Sequence, residues 1–257
     1  MRNIKLTLEY DGSRYNGWTQ PPKKGNKNTI SGKMIDVLSR MESLPPNTDN
    51  PVLFCGEKTA PGVHALKQIA NFKTNIAMPV SEIQTYLNHY LPQDIAILSA
   101  CETDDRFHAE LTSHTRIYEY RIRISPSPDL FRRKYCHYFS VPLDIDAMRQ
   151  AAEFLEGTHD FACFSSGKTK KSTIRELEAI DFQISNIPTD EPIPGEEIRI
   201  LLKADGFLQK MPLALIGTLL DIGLGKRNAD CIARIFTGQE SPSFSGDPYA
   251  LFLQKVE

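Results

Sequence analysis

Alternating apolar and polar residues from Lys5 to Tyr10 (Lys-Leu-Thr-Leu-Glu-Tyr) predict an opening strand, and Asp11-Gly12-Ser13 supplies the turn after it. Ile30, Met34, Ile35, Val37 and Leu38 recur at helical spacing behind Thr29, a residue suited to cap the helix. Val52–Cys55 is a short apolar run that fits a buried strand, followed by a loop over Gly56–His64 and a strand ending in Ala65–Phe72. Ser81–Tyr90 reads as a helix with Ser81 as its cap, and Ile95–Ala100 as a strand. Arg116–Ile124 alternates strictly, and Ser125-Pro-Ser-Pro-Asp129 ends it. Asp146–Glu156 is an amphipathic helix with Gly157 as its stop. Leu177–Ile184 and Glu197–Leu202 flank a Pro-rich hairpin, Asn186–Gly195. Two helices, Leu213–Leu224 and Asn228–Thr237, precede a last strand, Leu251–Val256. Strands adjacent in sequence and mixed with helices predict an α+β fold with largely antiparallel sheet.

The chain has 257 residues, 40% apolar and 24% charged, enough for one large domain or two small ones with a sizeable core. No run approaches the ~20 apolar residues that span a bilayer, and Met1–Tyr10 lacks the apolar stretch of a signal peptide. The expectation is a cytoplasmic protein with no membrane association. Five single cysteines, Cys55, Cys101, Cys136, Cys163 and Cys231, form no CxxC pair, so no metal site is expected and each reads as a small buried hydrophobe. Thirty basic residues against 32 acidic give a net charge of −2. That excludes a uniformly basic coat but not a local basic groove. Lys23, Lys24 and Lys27, then Arg132, Arg133 and Lys134, then Lys168, Lys170 and Lys171 are three such clusters. Each is ordinarily a solvated patch, yet with Phe131 and Tyr135 interleaved they suit a phosphate backbone.

Six segments then occur in order along nearly the whole chain. They are Leu8–Trp18 (Leu-Glu-Tyr-Asp-Gly-Ser-Arg-Tyr-Asn-Gly-Trp), Gly62–Phe72, Leu91–Ala96, Phe107-His108-Ala109 with Arg116–Tyr120, Gly157–Phe161, and Ile216–Gly223. Together they resemble the TruA family of tRNA pseudouridine synthases. The resemblance implies two α/β halves, residues 1–110 with the catalytic loop and 111–257 with Tyr118 and a late helix. Their sheets are expected to meet at a central RNA-binding cleft. It implies a homodimer that binds tRNA and isomerises anticodon-region uridines with no cofactor and no metal. An Asp attacks the flipped-out nucleotide, an aromatic residue stacks on the base, and an Arg pairs with the Asp.

The catalytic loop of the family, Arg-Thr-Asp-Ala-Gly-Val-His, corresponds to Lys58-Thr59-Ala60-Pro61-Gly62-Val63-His64. The Asp position is Ala60, and a methyl group is neither nucleophile nor base. The Arg position two residues earlier is Lys58, which keeps the charge and loses the planar fork. The Arg position in the late helix is Leu213, preceded by Pro212, which suits a helix start. Glu110 replaces an Arg after Phe-His-Ala. Tyr118 takes the base-stacking position, although a strand tyrosine is ordinarily core. Lys58, Thr59, His64, Phe107, His108 and Arg116 are the remaining candidate substrate-binding residues, with His64 and His108 read as structural.

These departures predict a tRNA-binding relative without isomerase activity. Two alternatives remain: an active synthase using a displaced carboxylate, Glu57 or Asp104/Asp105, and a scaffold without RNA binding.

Overall fold

A computed structural model describes residues 1–19, 28–43, 51–167, 172–188 and 193–257. The first and third lysine clusters therefore lie outside the described residues. The chain forms two compact units, Met1–His114 with Leu253–Glu257, and Thr115–Phe252.

In the first unit β1 (Arg2–Tyr10) is followed by α1 (Ile30–Met41), β2 (Leu53–Cys55), β3 (His64–Thr74), α2 (Val80–Tyr90), β4 (Ile95–Thr103) and the short α3 (Ala109–Thr112). β1 lies antiparallel between β3 and β4, and β2 pairs with β3. The register sets Ile4 opposite Phe72 and Leu6 opposite Ala70, so period-two apolar residues share one face. Ile30, Met34 and Leu38 of α1 are buried with them, as are Ile83 and Leu87 of α2. Each such side chain contributes roughly 1.5–3 kcal/mol by leaving water. Thr29 caps α1 by accepting from the Gly32 amide at 3.1 Å, as its sequence position predicts. Ser81 does not cap α2. Pro79, with φ −55°, already fixes the helix entry, and the Glu82 and Ile83 amides both donate to its carbonyl.

In the second unit β5 (Arg116–Ile124) precedes β6 (His137–Phe139), α4 (Ile145–Glu153), β7 (Gly157–Asp160), β8 (Ile174–Ile187), β9 (Gly195–Ala204), α5 (Met211–Gly223) and α6 (Cys231–Phe236); the last strand, β10 (Leu251–Val256), begins in this unit and from Leu253 belongs to the first. β5, β9, β8 and β7 are successive antiparallel neighbours, and β6 adds to β5 in parallel. The largely antiparallel α+β architecture predicted from sequence is thus observed. Tyr118, Tyr120 and Ile122 face Leu202, Ile200 and Ile198 across the ladder, and all six are buried. Helix α4 approaches α5 so closely that a Cβ on Gly223 would sit 2.5 Å from Met148 Sδ. Gly157 does not stop α4. The helix ends at Glu153, and Gly157 instead opens β7 at φ +102° opposite Leu177.

All five cysteines are free thiols, but only Cys55 and Cys231 are buried, while Cys101 is exposed and Cys136 and Cys163 are half-buried. The expectation that each is a buried hydrophobe holds for two of them. No described helix is long and apolar enough to cross a membrane.

Candidate functional site

The loop carrying Ala60 is shaped by its own sequence. Val63 donates its amide to the Ala60 carbonyl at 3.2 Å, with Pro61 and Gly62 between them and Gly62 at φ +82°. Pro followed by a positive-φ Gly is the chemistry of a type II turn. Ala60 is the first residue of that turn.

The opening segment clamps the loop. Trp18 donates its amide to the Thr59 carbonyl at 3.0 Å, and Gly62 donates to the Tyr15 carbonyl at 3.3 Å. Gly17 stands at φ +78°, where a Cβ would overlap the Thr59 oxygen and lie 2.9 Å from the Ala60 carbonyl carbon. Gly12 meets the Val63 carbonyl in the same way. Glycine is needed at both positions because backbone touches backbone. Thr59 is buried, and its hydroxyl is 2.8 Å from the Tyr10 hydroxyl. Burial pushes the Tyr10 phenol above its ordinary pKa, so it stays protonated. Gln68 holds Glu57 by both backbone groups, accepting from its amide at 3.3 Å and donating to its carbonyl at 2.6 Å. His64 Nδ1 accepts from the Gly12 amide at 3.1 Å, with Asp11 Oδ1 at the same distance. Through these contacts the ring ties the opening loop to β3.

Lys58 extends outward and pairs with Glu110, Nζ to Oε2 at 3.3 Å. Two of the departures from the family pattern therefore meet in one ion pair. Phe107 and His108 are placed by two asparagines. Asn3 donates to the Asp104 and Phe107 carbonyls at 2.8 and 2.9 Å, and Asn71 accepts from the Ala109 amide at 2.8 Å. Asn3 and Asn71 also bond each other at 2.9 Å. The sequence reading singled out neither for this role. Their signal is visible afterwards as a polar residue on a buried position of each of two paired strands. His108 packs on Phe54 with ring centroids 4.0 Å apart, and Lys5 Nζ lies over the Phe107 ring. Asp104 is engaged in its own turn, accepting from the Arg106 amide at 2.7 Å.

The second unit holds Arg116, Tyr118 and Leu213. Arg116 is buried and donates to the Asp205 carbonyl at 2.6 Å. Tyr118 is 3% exposed, edge-on to Phe207 with centroids 5.1 Å apart. Leu213 is buried in the first turn of α5. Pro212 sits in that same turn, where its missing amide costs no helical bond. Gly217 and Gly246 allow close packing of the Ser243–Gly246 segment on α5, since a Cβ on Gly246 would lie 2.9 Å from the Leu213 carbonyl oxygen. In the second basic cluster Arg132 bonds Asp129 and Glu197, and Arg133 donates to the Leu130 carbonyl.

Comparison with known proteins joins these motifs. The family model for tRNA pseudouridine synthase matches residues 151–255. A protein named tRNA pseudouridine synthase A 2 from Bacillus cereus is 35% identical over 260 residues, covering 100% of each chain. One named tRNA pseudouridine synthase A from Geobacillus is 34% identical over 259 residues, covering 99% of this chain and 98% of the relative. A Thermoanaerobacter protein of the same name is 34% identical over 260 residues, with 100% and 99% coverage. Identity of this extent, end to end, covers both units and every motif described above, and the chain belongs to the TruA family of tRNA pseudouridine synthases.

Proposed function

We propose that this chain is a non-catalytic member of its family that binds tRNA and leaves uridine unisomerised. The observation that carries the reading is Ala60 in a turn whose register is fixed on both sides. Converting uridine to pseudouridine breaks the N1–C1′ bond, forms C5–C1′, releases the C5 proton to solvent and leaves N1 protonated, so the product is an isomer of the substrate. The family begins this with a carboxylate at the position Ala60 occupies. Losing a nucleophile costs on the order of 10⁴–10⁶ in kcat. Two further substitutions support the reading. Lys58 is engaged by Glu110, so the cation that assists base flipping in the family is partly neutralised, and flipping already costs a few kcal/mol. Leu213 removes the Arg that would pair with the Asp. Absence of both charges is physically consistent, since an unmatched guanidinium in an apolar helix turn would be uncompensated.

On this reading the protein acts in the cytoplasm as a homodimer and binds the anticodon stem-loop of tRNA, the substrate class in its relatives' names. It needs no metal or cofactor. Tyr118, Thr59, His64, Phe107, His108 and Arg116 serve as retained framework or RNA contacts rather than as parts of a working catalyst.

The test is single-turnover label release. Protein in excess is incubated for hours with unmodified tRNA labelled at uridine C5, and tRNA binding is measured on the same sample. The expected result is binding with release no greater than a protein-free control. Release above control overturns the reading and turns attention to Glu57, Asp104 and Asp105. Absence of both release and salt-dependent binding supports a scaffold that has lost RNA.

A further inference from the structure

The odd-numbered face of β5 is unlike its even-numbered one. Residues 118, 120 and 122 are apolar or aromatic, whereas 119, 121 and 123 are Glu, Arg and Arg. The register sets Arg121 directly opposite Arg199 and Arg123 opposite Glu197 on β9. The turn bearing Arg132 and Tyr135 closes the space above them. The result is a cavity of about 290 Å³ lined by Arg121, Arg123, Arg132, Arg199, Glu197 and Tyr135. It lies within the second unit, across the strand from Tyr118.

Two features of this cavity are costs to the fold. Like charges directly opposite on neighbouring strands destabilise a sheet. Arg121 is compensated by Glu119 at 2.5 Å and rests on the Phe252 ring, and Arg199 is compensated by Glu197 at 2.7 Å. Among the described residues Arg123 has no such carboxylate partner. It is 5% exposed, donates through Nη2 to the Ile193 carbonyl at 2.5 Å, and its buried Nε has no hydrogen-bond partner among the described residues. A buried guanidinium with an unused donor is costly unless an anion satisfies it. Glu197 already behaves as a resident anion at the mouth, bridging Arg199 and Arg132. A tetrahedral oxyanion can take over those forked donors, because guanidinium geometry matches phosphate.

We propose that this cavity is a phosphate-binding site, filled by a backbone phosphate of RNA. Phe131 is 93% exposed on the same turn, and Tyr135 lines the cavity itself. Aromatic rings beside a phosphate site suit stacking by a neighbouring base, which a free phosphate does not need. The inference does not depend on whether Ala60 abolishes catalysis. A phosphate site on the face opposite Tyr118 serves an active and an inactive relative alike.

The experiment titrates the intact protein with inorganic phosphate at constant ionic strength against chloride, then with unmodified tRNA across a salt series. Arg123 is buried and its loss can unfold the unit, so the Arg132→Gln/Arg199→Gln pair, checked for native circular dichroism, carries the test. Wild type is expected to bind phosphate saturably, and the pair to weaken it at least tenfold. Glu197→Gln, which removes the competing carboxylate, is expected to tighten phosphate severalfold. Loss of tRNA affinity in the pair, with a shallower dependence of log affinity on log salt, identifies the RNA backbone as the source. Loss of phosphate binding with tRNA affinity unchanged retains the phosphate site and overturns its assignment to RNA. No saturable phosphate binding, or binding undiminished in the pair, overturns the proposal.

Discussion

Replacing Gly17 by alanine tests how tightly the Ala60 loop is clamped. Two penalties act there. The backbone stands at φ +78°, and a left-handed conformation costs a non-glycine residue roughly 1–2 kcal/mol. The new methyl also overlaps the Thr59 carbonyl oxygen and presses on the Ala60 carbonyl carbon at 2.9 Å. Backbone cannot step aside as a flexible side chain can, and overpacking of this kind costs about 1–3 kcal/mol more. Gly225 isolates the first penalty, because it has φ +68° and nothing within 4 Å of a built Cβ. Alanine at either site also gains about 0.4–1 kcal/mol from a stiffer unfolded chain, and this term cancels between them. Gly17→Ala is therefore expected to cost about 1–3 kcal/mol beyond Gly225→Ala. At ~2–4 °C per kcal/mol for a chain of this size, the extra fall in Tm is roughly 2–12 °C. Circular dichroism follows both variants. Fluorescence of Trp18, the single tryptophan, buried and bonded to the Thr59 carbonyl, follows the first unit directly. Equal costs for the two variants would refute the close approach as the reason for glycine at 17.

Three further outcomes are expected. Ala60→Asp should leave C5 label release at background, because Lys58 and Leu213 no longer match a carboxylate there; robust turnover would refute that account. Glu110→Gln should release Lys58 and strengthen tRNA binding severalfold at low salt. Its effect on stability should stay within ~1 kcal/mol, since the pair is exposed, and unchanged binding would show that Lys58 does not meet RNA. The Tyr120 hydroxyl lies 2.6 Å from His137 Nδ1 and accepts from the Asp247 amide at 2.8 Å, and burial, opposed by Asp247, lowers the His137 pKa below 6.5. The unfolded chain thus takes up a proton first, so this contribution is complete above pH 6.5 and shrinks as pH falls. Thermal melts from pH 7 to 5 should show a steeper loss for wild type than for His137→Gln.

Much of this architecture is legible in the residues because local signals and packing agree. Arg116–Ile124 alternates strictly and is β5 with the same ends; Thr29 precedes an apolar 3.6-residue period and caps α1. The failures have physical causes. β7 (Gly-Thr-His-Asp) has no apolar face to announce it, since only pairing with β8 makes it a strand. β6 is three residues held in parallel by β5. Ser81 has the chemistry of a cap, but Pro79 sets the helix start first. For the site, the residues of the Ala60 loop are readable by resemblance, whereas the clamp around it depends on backbone distances that no residue pattern encodes. The arginine cavity shows the same limit: the alternation is visible along β5, but that Arg121 meets Arg199 follows only from the register of β9.

The return of Leu253–Glu257 to the first unit bears on how this protein is made. The ribosome releases Met1–His114 long before the segment that lies beside β3 and gives its Glu257 carbonyl to the His114 amide at 2.6 Å. Until then the part of the β3 edge that β2 leaves uncovered waits open, and an open edge is a template for pairing with other chains. Translation pauses within the second unit should therefore prolong an aggregation-prone interval, and a fragment stopping at His114 should be recovered less soluble than the full chain.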